Sequence, residues 1–401
     1  MTLGLLYHMP FWQAADGSLW EAEGSFARYV DSLAPYFDEI LIAVPVFDVP
    51  PASGSRVQAA NVRLAPLPYF PGPRQFYPLL PSMHARLREW VERCDVIHFR
   101  VPTPAAIFAF RLAKARRKPI FLLVVGDYQA LVPYLPYRGL KKVLFGAYVA
   151  FEEWALRHMT RRALTFANGA ALTRKHSRDG VHVHETKTTT LGVRDIASRV
   201  DIPGTAPIRL LTVSRIDPRK GLRVLPAAVA DLVASGVDVT LDLVGPTIGQ
   251  IGDEERDAIR AEAVRLGVGD RITLRGAVAL DELLPLYRTF DIFVLPTQPG
   301  EGIPRVLLEA MAGGLPVVTT RVSGITSLIT HDRNGVLIDE SSAHAVAGAV
   351  RALAASPDLR KRLIAGGYET ARAHTLERQA AELMHVVGSE LGLTLREPAA
   401  A

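Results

Sequence analysis

The sequence alternates short β-branched runs with longer stretches whose apolar residues recur at helical spacing, and it does so twice. In the first half, EILIAVPV (39–46) and PIFLLVV (119–125) have the length and composition of buried strands, as do VTLDLVG (239–245) and DIFVLP (291–296) in the second. Strands that alternate with helices form parallel sheets covered on both faces. The pattern therefore predicts an α/β fold with two doubly wound, Rossmann-like domains facing across a cleft.

Domain boundaries follow from the place where this alternation is interrupted. The segment VRDIASRVDIPGTAPIR is rich in polar residues, proline and glycine, which is typical of a linker. We therefore predict a first domain over 1–195, a linker over 196–206 and a second domain over 207–375. The stretch 376–396 has a helical pattern, and we expect it to pack back towards the first domain.

Composition argues against several classes of function. Cys94 is the only cysteine, which precludes an intrachain disulfide and suits the reducing cytoplasm. The start, MTLGLLYHMPFW, lacks the pattern of a signal peptide, and no apolar run has the length of a membrane span. The net charge of +5 suits an anionic ligand or surface but is too diffuse to indicate nucleic-acid binding. We therefore expect a cytoplasmic protein.

The second half carries a group of cations directly after a predicted strand. In RIDPRKG, which follows RLLTVS, the cations are Arg215, Arg219 and Lys220, and a helix is expected to begin near Gly221. Cations beside a helix start favour a phosphate, although a solvated charged loop is an alternative. The sequence has no GxxxxGK[ST] motif, which excludes a P-loop, and no GxGxxG follows the first strand, so a nicotinamide site is weakly supported.

Two glutamates flank a second helix start in EGIPRVLLEAMAGGLPVV. Glu301 precedes Pro304, which suits the first helical turn, and Glu309 lies inside the apolar helix that Gly313 and Gly314 end. A buried carboxylate needs a partner. Glu301 could serve as a helix N-terminal charge, and Glu309 could be satisfied by backbone or by a buried arginine. A ligand with several hydroxyls beside a phosphate, such as a nucleotide sugar, would satisfy both carboxylates.

SRIDPRKG followed by EGIPRVLLEAMAGGLPVV resembles the retaining glycosyltransferases of the GT-B fold, glycosyl transferase group 1. Glu301 and Glu309 match the E-x7-E signature of that family. The resemblance is strong over 207–345 and looser over the N-terminal half. It implies transfer of a sugar from a nucleoside diphosphate sugar to an acceptor hydroxyl of a polysaccharide, glycolipid or natural product. It also implies that neither a metal nor another cofactor is needed.

The resemblance implies roles for individual residues. Arg215 and Lys220 would hold the diphosphate and neutralise the leaving group, in a catalytic role. Glu309 would bind the ribose, and Glu301 would bind a hydroxyl of the donor sugar as a further catalytic residue. Further donor contacts are expected near the helix start and after an earlier strand, at Ile303, Pro304, Arg305, Val306, Gly276 and Val278.

The first half departs from the family at one position. The family's glycine-rich turn before its first helix is matched by Gly24 and Ser25, which follow an aromatic insert, PFWQAADGSLWEA. After the strand PIFLLVV, however, Val125 stands where the family has a histidine. Asp127 is then the nearest polar group, and we assign it to the catalytic site. His98 is predicted at the end of the preceding strand as a donor-site residue, with a structural role as the alternative.

The stretch RGLKKVLFGAYVAFEEWALRHMTRR (138–162) combines cations with large apolar residues. It could lie on the anionic inner membrane surface and bring a lipid-linked acceptor to the site, or it could pack as an ordinary helix with its apolar side inside. Two other functions remain open at this point. They are a nucleotide-sugar epimerase of GT-B architecture and a noncatalytic subunit that binds a sugar nucleotide.

Overall fold

A computed structural model of the chain describes residues 1–21, 25–47, 54–70, 73–131, 139–178, 180–202, 206–298, 304–322 and 324–398. The chain forms two compact units. The first comprises Met1–Thr188 and Leu376–Ala401, and the second comprises Thr189–Thr375. Each unit is a doubly wound α/β domain, so the fold class predicted from the strand and helix alternation is confirmed.

The first unit is built on a parallel sheet whose strand order reverses once. The strands described in this unit are β1 (Thr2–Leu6), β2 (Phe11–Gln13), β3 (Leu19–Glu21), β4 (Glu39–Pro45), β5 (Ser55–Arg56), β6 (Val62–Leu67), β7 (Val96–Val101), β8 (Ile120–Val124), β9 (Leu164–Asn168) and β10 (His184–Thr186). Seven of them pair in parallel in the order β10-β9-β8-β7-β1-β4-β6. The order reverses between β1 and β7, because the chain first lays β4 and β6 on one side and then adds β7 to β10 on the other.

Helices cover both faces of this sheet. They are α1 (Ser25–Leu33), α2 (Pro73–Phe76), α3 (Leu80–Arg93), α4 (Ala106–Ala115), α5 (Tyr128–Leu131), α6 (Gly139–Thr160) and α7 (Gly169–His176). Helices α3, α4 and α6 share a core that contains Trp90 and Phe110, and α1 belongs to a second core that contains Phe26 and Phe121. Each face of the sheet therefore has its own apolar core.

The aromatic insert before α1 is an ordered hairpin. Strands β2 and β3 pair antiparallel, with Trp12 opposite Trp20, and β5 pairs with β3 as the third strand of this small sheet. Gly17 has φ +82° in the hairpin turn, a backbone conformation that glycine adopts without strain. Phe11 is fully buried, and its ring meets Phe26 edge-on at 5.8 Å. The insert thus packs into the core shared with α1.

The second unit has a six-stranded parallel sheet. Its strands are β11 (Ile208–Val213), β12 (Val239–Val244), β13 (Ile272–Gly276), β14 (Ile292–Leu295), β15 (Val317–Thr320) and β16 (Val336–Ile338), in the order β13-β12-β11-β14-β15-β16. Its helices are α8 (Leu225–Ala234), α9 (Gly249–Arg265), α10 (Leu280–Tyr287), α11 (Arg305–Ala312), α12 (Ala343–Ala355) and α13 (Pro357–Arg372). Here the strand order reverses between β11 and β14.

The segment predicted as an interdomain linker belongs to the second unit, which begins at Thr189. The Ala197 amide donates to the Ala312 carbonyl at 2.8 Å. The Asp201 carboxylate forms an ion pair with the buried Arg360, with 2.7 Å between the carboxylate oxygen and Nε. Polar residues in this segment are thus satisfied by contacts with the fold, which composition alone does not distinguish from solvation in a linker.

The chain ends in α14 (Leu376–Leu391), which belongs to the first unit. Leu383, Met384 and Val387 of this helix lie in the core that contains Phe26. The position of α14 is therefore fixed by apolar packing within the first unit. Among the helices in the described ranges, none combines the length and the hydropathy that crossing a bilayer requires.

Candidate functional site

The topology of the second unit brings its two sequence motifs to one edge of the sheet. In doubly wound folds, ligands bind beyond the carboxyl ends of the strands, where the strand order reverses. That reversal lies between β11 and β14. The loop after β11 carries Arg215 and Lys220, and the loop after β14 leads towards α11, which carries Glu309. The two motifs, far apart in the sequence, therefore start from adjacent strands at the favoured edge.

The cationic turn after β11 is a 3-10 turn at Pro218–Lys220 with an internal ion pair. The Arg219 amide donates to Asp217 at 2.9 Å, and the Arg219 guanidinium donates to the same carboxylate at 2.9 and 2.6 Å. These bonds from Arg219 lower the pKa of Asp217 to about 2. Of the three cations in the motif, Arg219 thus neutralises Asp217. Arg215 is exposed, and Lys220 is buried.

The same turn is fastened to the segment that leads from β14 towards α11. The Arg219 carbonyl accepts hydrogen bonds from the Gln298 amide at 2.8 Å and from the Thr297 hydroxyl at 3.2 Å. Gly221 has φ +67°, and a Cβ there would lie 2.1 Å from the Pro296 carbonyl oxygen. Only glycine permits this close approach. The helix expected near Gly221 begins later, as α8, because two 3-10 turns come first.

Glu309 is buried, with 5% of its surface exposed, and two hydroxyl groups of the second unit bind it. The Thr190 hydroxyl donates to Oε1 at 2.6 Å, and the Tyr287 hydroxyl donates to Oε2 at 2.9 Å. Burial, and then the negative charge of Glu309, raise the pKa of Tyr287 well above its ordinary value. Glu309 thus has protein partners, as one interpretation of the sequence expected, but they are hydroxyls rather than backbone or an arginine. Each carboxylate oxygen can accept a further bond.

The start of α11 differs in detail from the prediction. Pro304 is the N-cap, with extended backbone angles, and the helix begins at Arg305 rather than at the proline. Arg305 is exposed, Val306 is partly buried, and the helix ends at Ala312, before the two glycines. Glu301 and Ile303, the other predicted donor contacts of this loop, lie outside the described residues.

The loop after β13 supplies the remaining donor positions predicted in the second unit. Gly276 is exposed at the end of the strand with φ +74°, and its carbonyl accepts a hydrogen bond from the Gly245 amide at 2.8 Å. Val278 is partly buried against the core that contains Tyr287. The loop runs directly into α10, whose Tyr287 binds Glu309. Gly276 and Val278 are thereby connected to the carboxylate site through one short helix.

In the first unit, the strand-end position predicted for His98 is wrong, while its role at the donor stays a prediction. It lies in the middle of β7, fully buried, because the strand continues to Val101. Its ring stacks on Phe121 with 4.2 Å between centroids, and its Nε2 hydrogen bonds with the Tyr29 hydroxyl at 2.9 Å. Burial lowers the pKa of His98 to about 3, so the side chain is neutral. The structural role that the sequence left open is the one observed.

The start of α1 is already occupied by a carboxylate. Ser25 opens the helix as predicted, while Gly24 lies outside the described residues. The fully buried Glu21 accepts hydrogen bonds from the Phe26 amide at 3.0 Å and from the Ala27 amide at 3.2 Å. Two backbone amides of the first turn of α1 are thus bound by Glu21. The hairpin that carries Glu21 makes this possible, because its last strand ends beside the helix start.

Asp127 lies after β8 and takes part in an ion-pair network. Its carboxylate accepts a hydrogen bond from the Gln129 amide at 2.9 Å, in the first turn of α5. The same carboxylate binds the Lys175 ammonium at 2.9 Å. Lys175 also binds Glu153 at 2.9 Å, so it bridges helices α5 and α6 from α7. Val125 is partly buried and packs against the core that contains Phe26. The Asp127 side chain is 27% exposed.

Sequence reasoning missed the residues at the strand reversal of the first unit. His8 follows β1 and Thr103 follows β7, and His8 Nδ1 lies 2.8 Å from the Thr103 hydroxyl. Burial, and then the charge of Arg100, lower the pKa of His8 to about 4. The Arg100 guanidinium lies over the rings of Tyr7, Phe26 and Tyr29 at 4.9 to 5.3 Å. No local motif joins these residues, so the topology alone reveals them.

Comparison with known proteins finds a family whose model matches one segment of this chain. Residues 196–370 match the family of glycosyl transferases group 1. This segment contains Arg215, Lys220 and Glu309, and it includes the 3-10 turn at Pro218–Lys220. The family match thus falls on the unit whose edge carries the cations and the buried carboxylate.

Solved structures extend the comparison to the whole fold. The crystal structure of Anabaena Alr3699/HepE in complex with UDP is 17% identical, covers 97% of this chain and 100% of its own, and has a TM-score of 0.69. The fold is GT-B.

Two relatives are similar in sequence. The lipopolysaccharide core biosynthesis glycosyltransferase LpsE of Rhizobium meliloti is 34% identical over 174 residues, or 43% of this chain. The GDP-mannose-dependent alpha-(1-6)-phosphatidylinositol monomannoside mannosyltransferase of Mycobacterium tuberculosis is 28% identical over 301 residues, which cover 72% of this chain and 74% of the relative. The alignment with LpsE spans 47% of that relative, or about half its length.

Proposed function

We propose that the protein is a retaining glycosyltransferase that moves a sugar from a nucleoside diphosphate sugar to an acceptor hydroxyl. The observation that carries the proposal is that a cationic turn and a buried carboxylate both follow the strands at which the strand order of the second unit reverses. These groups lie within the segment that matches the glycosyl transferases group 1. LpsE and the mycobacterial relative are named as glycosyltransferases, which favours transfer over the epimerase and noncatalytic alternatives. The acceptor class we propose is a polysaccharide, a glycolipid or a natural product.

The cations would act on the leaving group. Transfer breaks the bond between the anomeric carbon and the phosphate oxygen, and negative charge develops on the departing diphosphate. Arg215 and Lys220 would neutralise that charge as it forms. Because Lys220 is buried, its attraction to the diphosphate is screened less than that of an exposed lysine. In retention by front-face attack, the acceptor hydroxyl transfers its proton to the leaving phosphate oxygen, so no side chain has to act as the base.

The carboxylates would hold the hydroxyls of the donor. Glu309 accepts bonds from Thr190 and Tyr287, which fix its orientation, and its remaining acceptor capacity would bind the ribose hydroxyls. Glu301 would bind a hydroxyl of the donor sugar, a role based on the E-x7-E resemblance. The loop of Gly276 and Val278 would meet the base, and Pro304, Arg305 and Val306 would line the donor beside Ile303.

The first unit would supply the acceptor side. Asp127, held by Lys175, would contact the donor sugar or the incoming acceptor hydroxyl. Positioning of the acceptor is the demand here, since front-face attack asks little acid-base chemistry of the protein. The reaction would proceed without a metal or another cofactor, as the family resemblance implies.

Donor hydrolysis in the absence of an acceptor tests the proposal. Incubation with UDP and GDP sugars, with EDTA present, should release free sugar and nucleoside diphosphate slowly for the correct donor. Proton NMR should show that the first sugar formed keeps the anomeric configuration of the donor. Conversion to an isomeric sugar nucleotide without such release would instead indicate an epimerase. Stabilisation by a nucleotide sugar in a thermal shift screen, without turnover of any donor or acceptor tested, would indicate a noncatalytic subunit.

A further inference from the structure

Helix α6 exposes large apolar side chains from its first turn onward. All residues from 139 to 144 are exposed. Among them, Leu140, Val143 and Leu144 are 73%, 67% and 61% exposed, and further along Trp154 is 57% exposed. In an ordinary surface helix, large apolar side chains face the core of the domain. Their exposure at the surface of a folded domain indicates that something else covers them.

The exposed apolar residues lie along one side of α6, opposite its acidic residues. Positions 140, 144, 147, 151 and 154 are separated by four, three, four and three residues, so they form one stripe along the helix. Over this span the stripe is about 21 Å long. The side facing the domain carries the buried Glu152 and Glu153. Polar and apolar residues are thus partly reversed relative to a helix that packs on a domain and faces water.

Cations lie at both ends of this stripe. Lys141 and Lys142 are exposed in the first turn, and Arg161 and Arg162 are exposed just after the other end. Glu152 and Glu153 are the acidic residues of the α6 sequence, and both are buried. The exposed side of α6 therefore combines apolar groups and positive charges, with its own carboxylates turned inward.

We propose that the exposed side of α6 docks on an anionic lipid bilayer. The apolar stripe would enter the boundary between headgroups and acyl chains, while the cations at its two ends would bind lipid phosphates. Phe151 and Trp154, whose rings stack at 5.8 Å, would lie at the headgroup level, where aromatic side chains are favoured. With charged residues along its 22 positions, α6 is suited to lie in this boundary rather than to span it. The inference is independent of the transfer chemistry proposed above.

Vesicle flotation tests this docking surface. The protein should float with vesicles of phosphatidylcholine and phosphatidylglycerol, float weakly with phosphatidylcholine alone, and be released by high salt. Lys141→Glu should weaken binding to the anionic vesicles at least about fivefold, the value expected for loss of one cation at the surface. Leu144→Gln should weaken it by a similar factor through loss of apolar contact. The tryptophan emission should shift to shorter wavelength on binding, and Trp154→Phe should remove that shift.

Matched variants elsewhere on the surface serve as controls. Val264→Gln removes an exposed apolar residue of α9, and Lys361→Glu reverses an exposed lysine of α13, and both should float like the wild type. All the variants should keep the wild-type rate of donor hydrolysis, which separates a failure of docking from a failure of the catalytic proposal. Absence of wild-type flotation at low salt would overturn the inference. So would a lipid-free dimer that Leu144→Gln dissociates, since a second copy would then cover the stripe.

Discussion

The two units reverse their strand order in the same way, yet they place different chemistry at the reversal. In the second unit, the residues come from two motifs, each of which is a continuous stretch of sequence. Backbone hydrogen bonds connect the loops that carry them, such as the bond from the Gln298 amide to the Arg219 carbonyl. In the first unit, the pair His8 and Thr103 comes from positions 95 residues apart. Residues that lie together in one stretch of sequence can be recognised from that sequence. A pair that strand order brings together can be recognised only once the fold is known.

The charge at the two reversals differs as well. The second unit presents Arg215 and Lys220, which suit a diphosphate. In the first unit, Arg100 is covered by aromatic rings, and His8 is neutral near pH 7 because its pKa is lowered to about 4. The comparison leads us to expect that substitutions in the second unit change donor turnover. Substitution of the buried His98 in the first unit should instead change the free energy of unfolding.

The largest effect is expected for Lys220→Ala. Removing a buried cation from the developing charge of the leaving group should lower kcat by about 100- to 1000-fold, as loss of one transition-state contact does in other enzymes. The matched control is Arg219→Ala, one residue away, because Arg219 neutralises Asp217. That control should change kcat only a few-fold. Circular dichroism should confirm that both variants fold, and wild-type turnover by folded Lys220→Ala would contradict the assignment of the diphosphate site.

A smaller effect is expected for Glu309→Gln. The amide keeps the size of the side chain but loses the charge that binds donor hydroxyls, so the KM for the donor should rise about 10- to 100-fold. Tyr287→Phe is the control, because it removes one bond to Glu309 while leaving the charge in place. It should lower the free energy of unfolding by about 1 kcal/mol with little change in KM. Equal effects of the two substitutions on KM would indicate that Glu309 acts only by supporting the fold.

The fold was largely predictable from the sequence, because buried parallel strands and amphipathic helices differ in length and periodicity. The helix end at Gly313 and Gly314 and the location of both motifs after strands were predictable for the same reason. The prediction that His98 lies at the end of β7 was wrong, because the strand continues to Val101. A parallel strand buried on both faces has no polar alternation to mark where it stops.

Hydrogen-bond partners that lie far apart in the chain could not be predicted from the sequence. Thr190 binds Glu309 across 119 positions, and Glu21 reaches the start of α1 because a hairpin folds back there. The sequence alone does not show whether the apolar side of α6 is buried or exposed, for a related reason. Its periodicity shows that one side is apolar, but only the packing of Glu152 and Glu153 against the domain shows which side faces out.

The smallest effect concerns His98 and is seen in stability rather than turnover. His98 has a pKa of about 3 in the folded protein, against 6.5 as the ordinary value. Between these two values the unfolded chain binds a proton that the folded protein excludes, so the free energy of unfolding falls as the pH falls. From pH 6.5 to one unit below, this difference amounts to about 1 kcal/mol. His98→Gln should remove it, and urea unfolding of both proteins across that range measures the change. Other titrating groups, including His8, cancel when the two proteins are compared at each pH. Donor hydrolysis per folded molecule should stay at the wild-type rate near pH 7, since His98 lies inside the sheet. A variant with unchanged pH dependence and a raised KM would place His98 at the donor after all, and would remove the contrast between the two units.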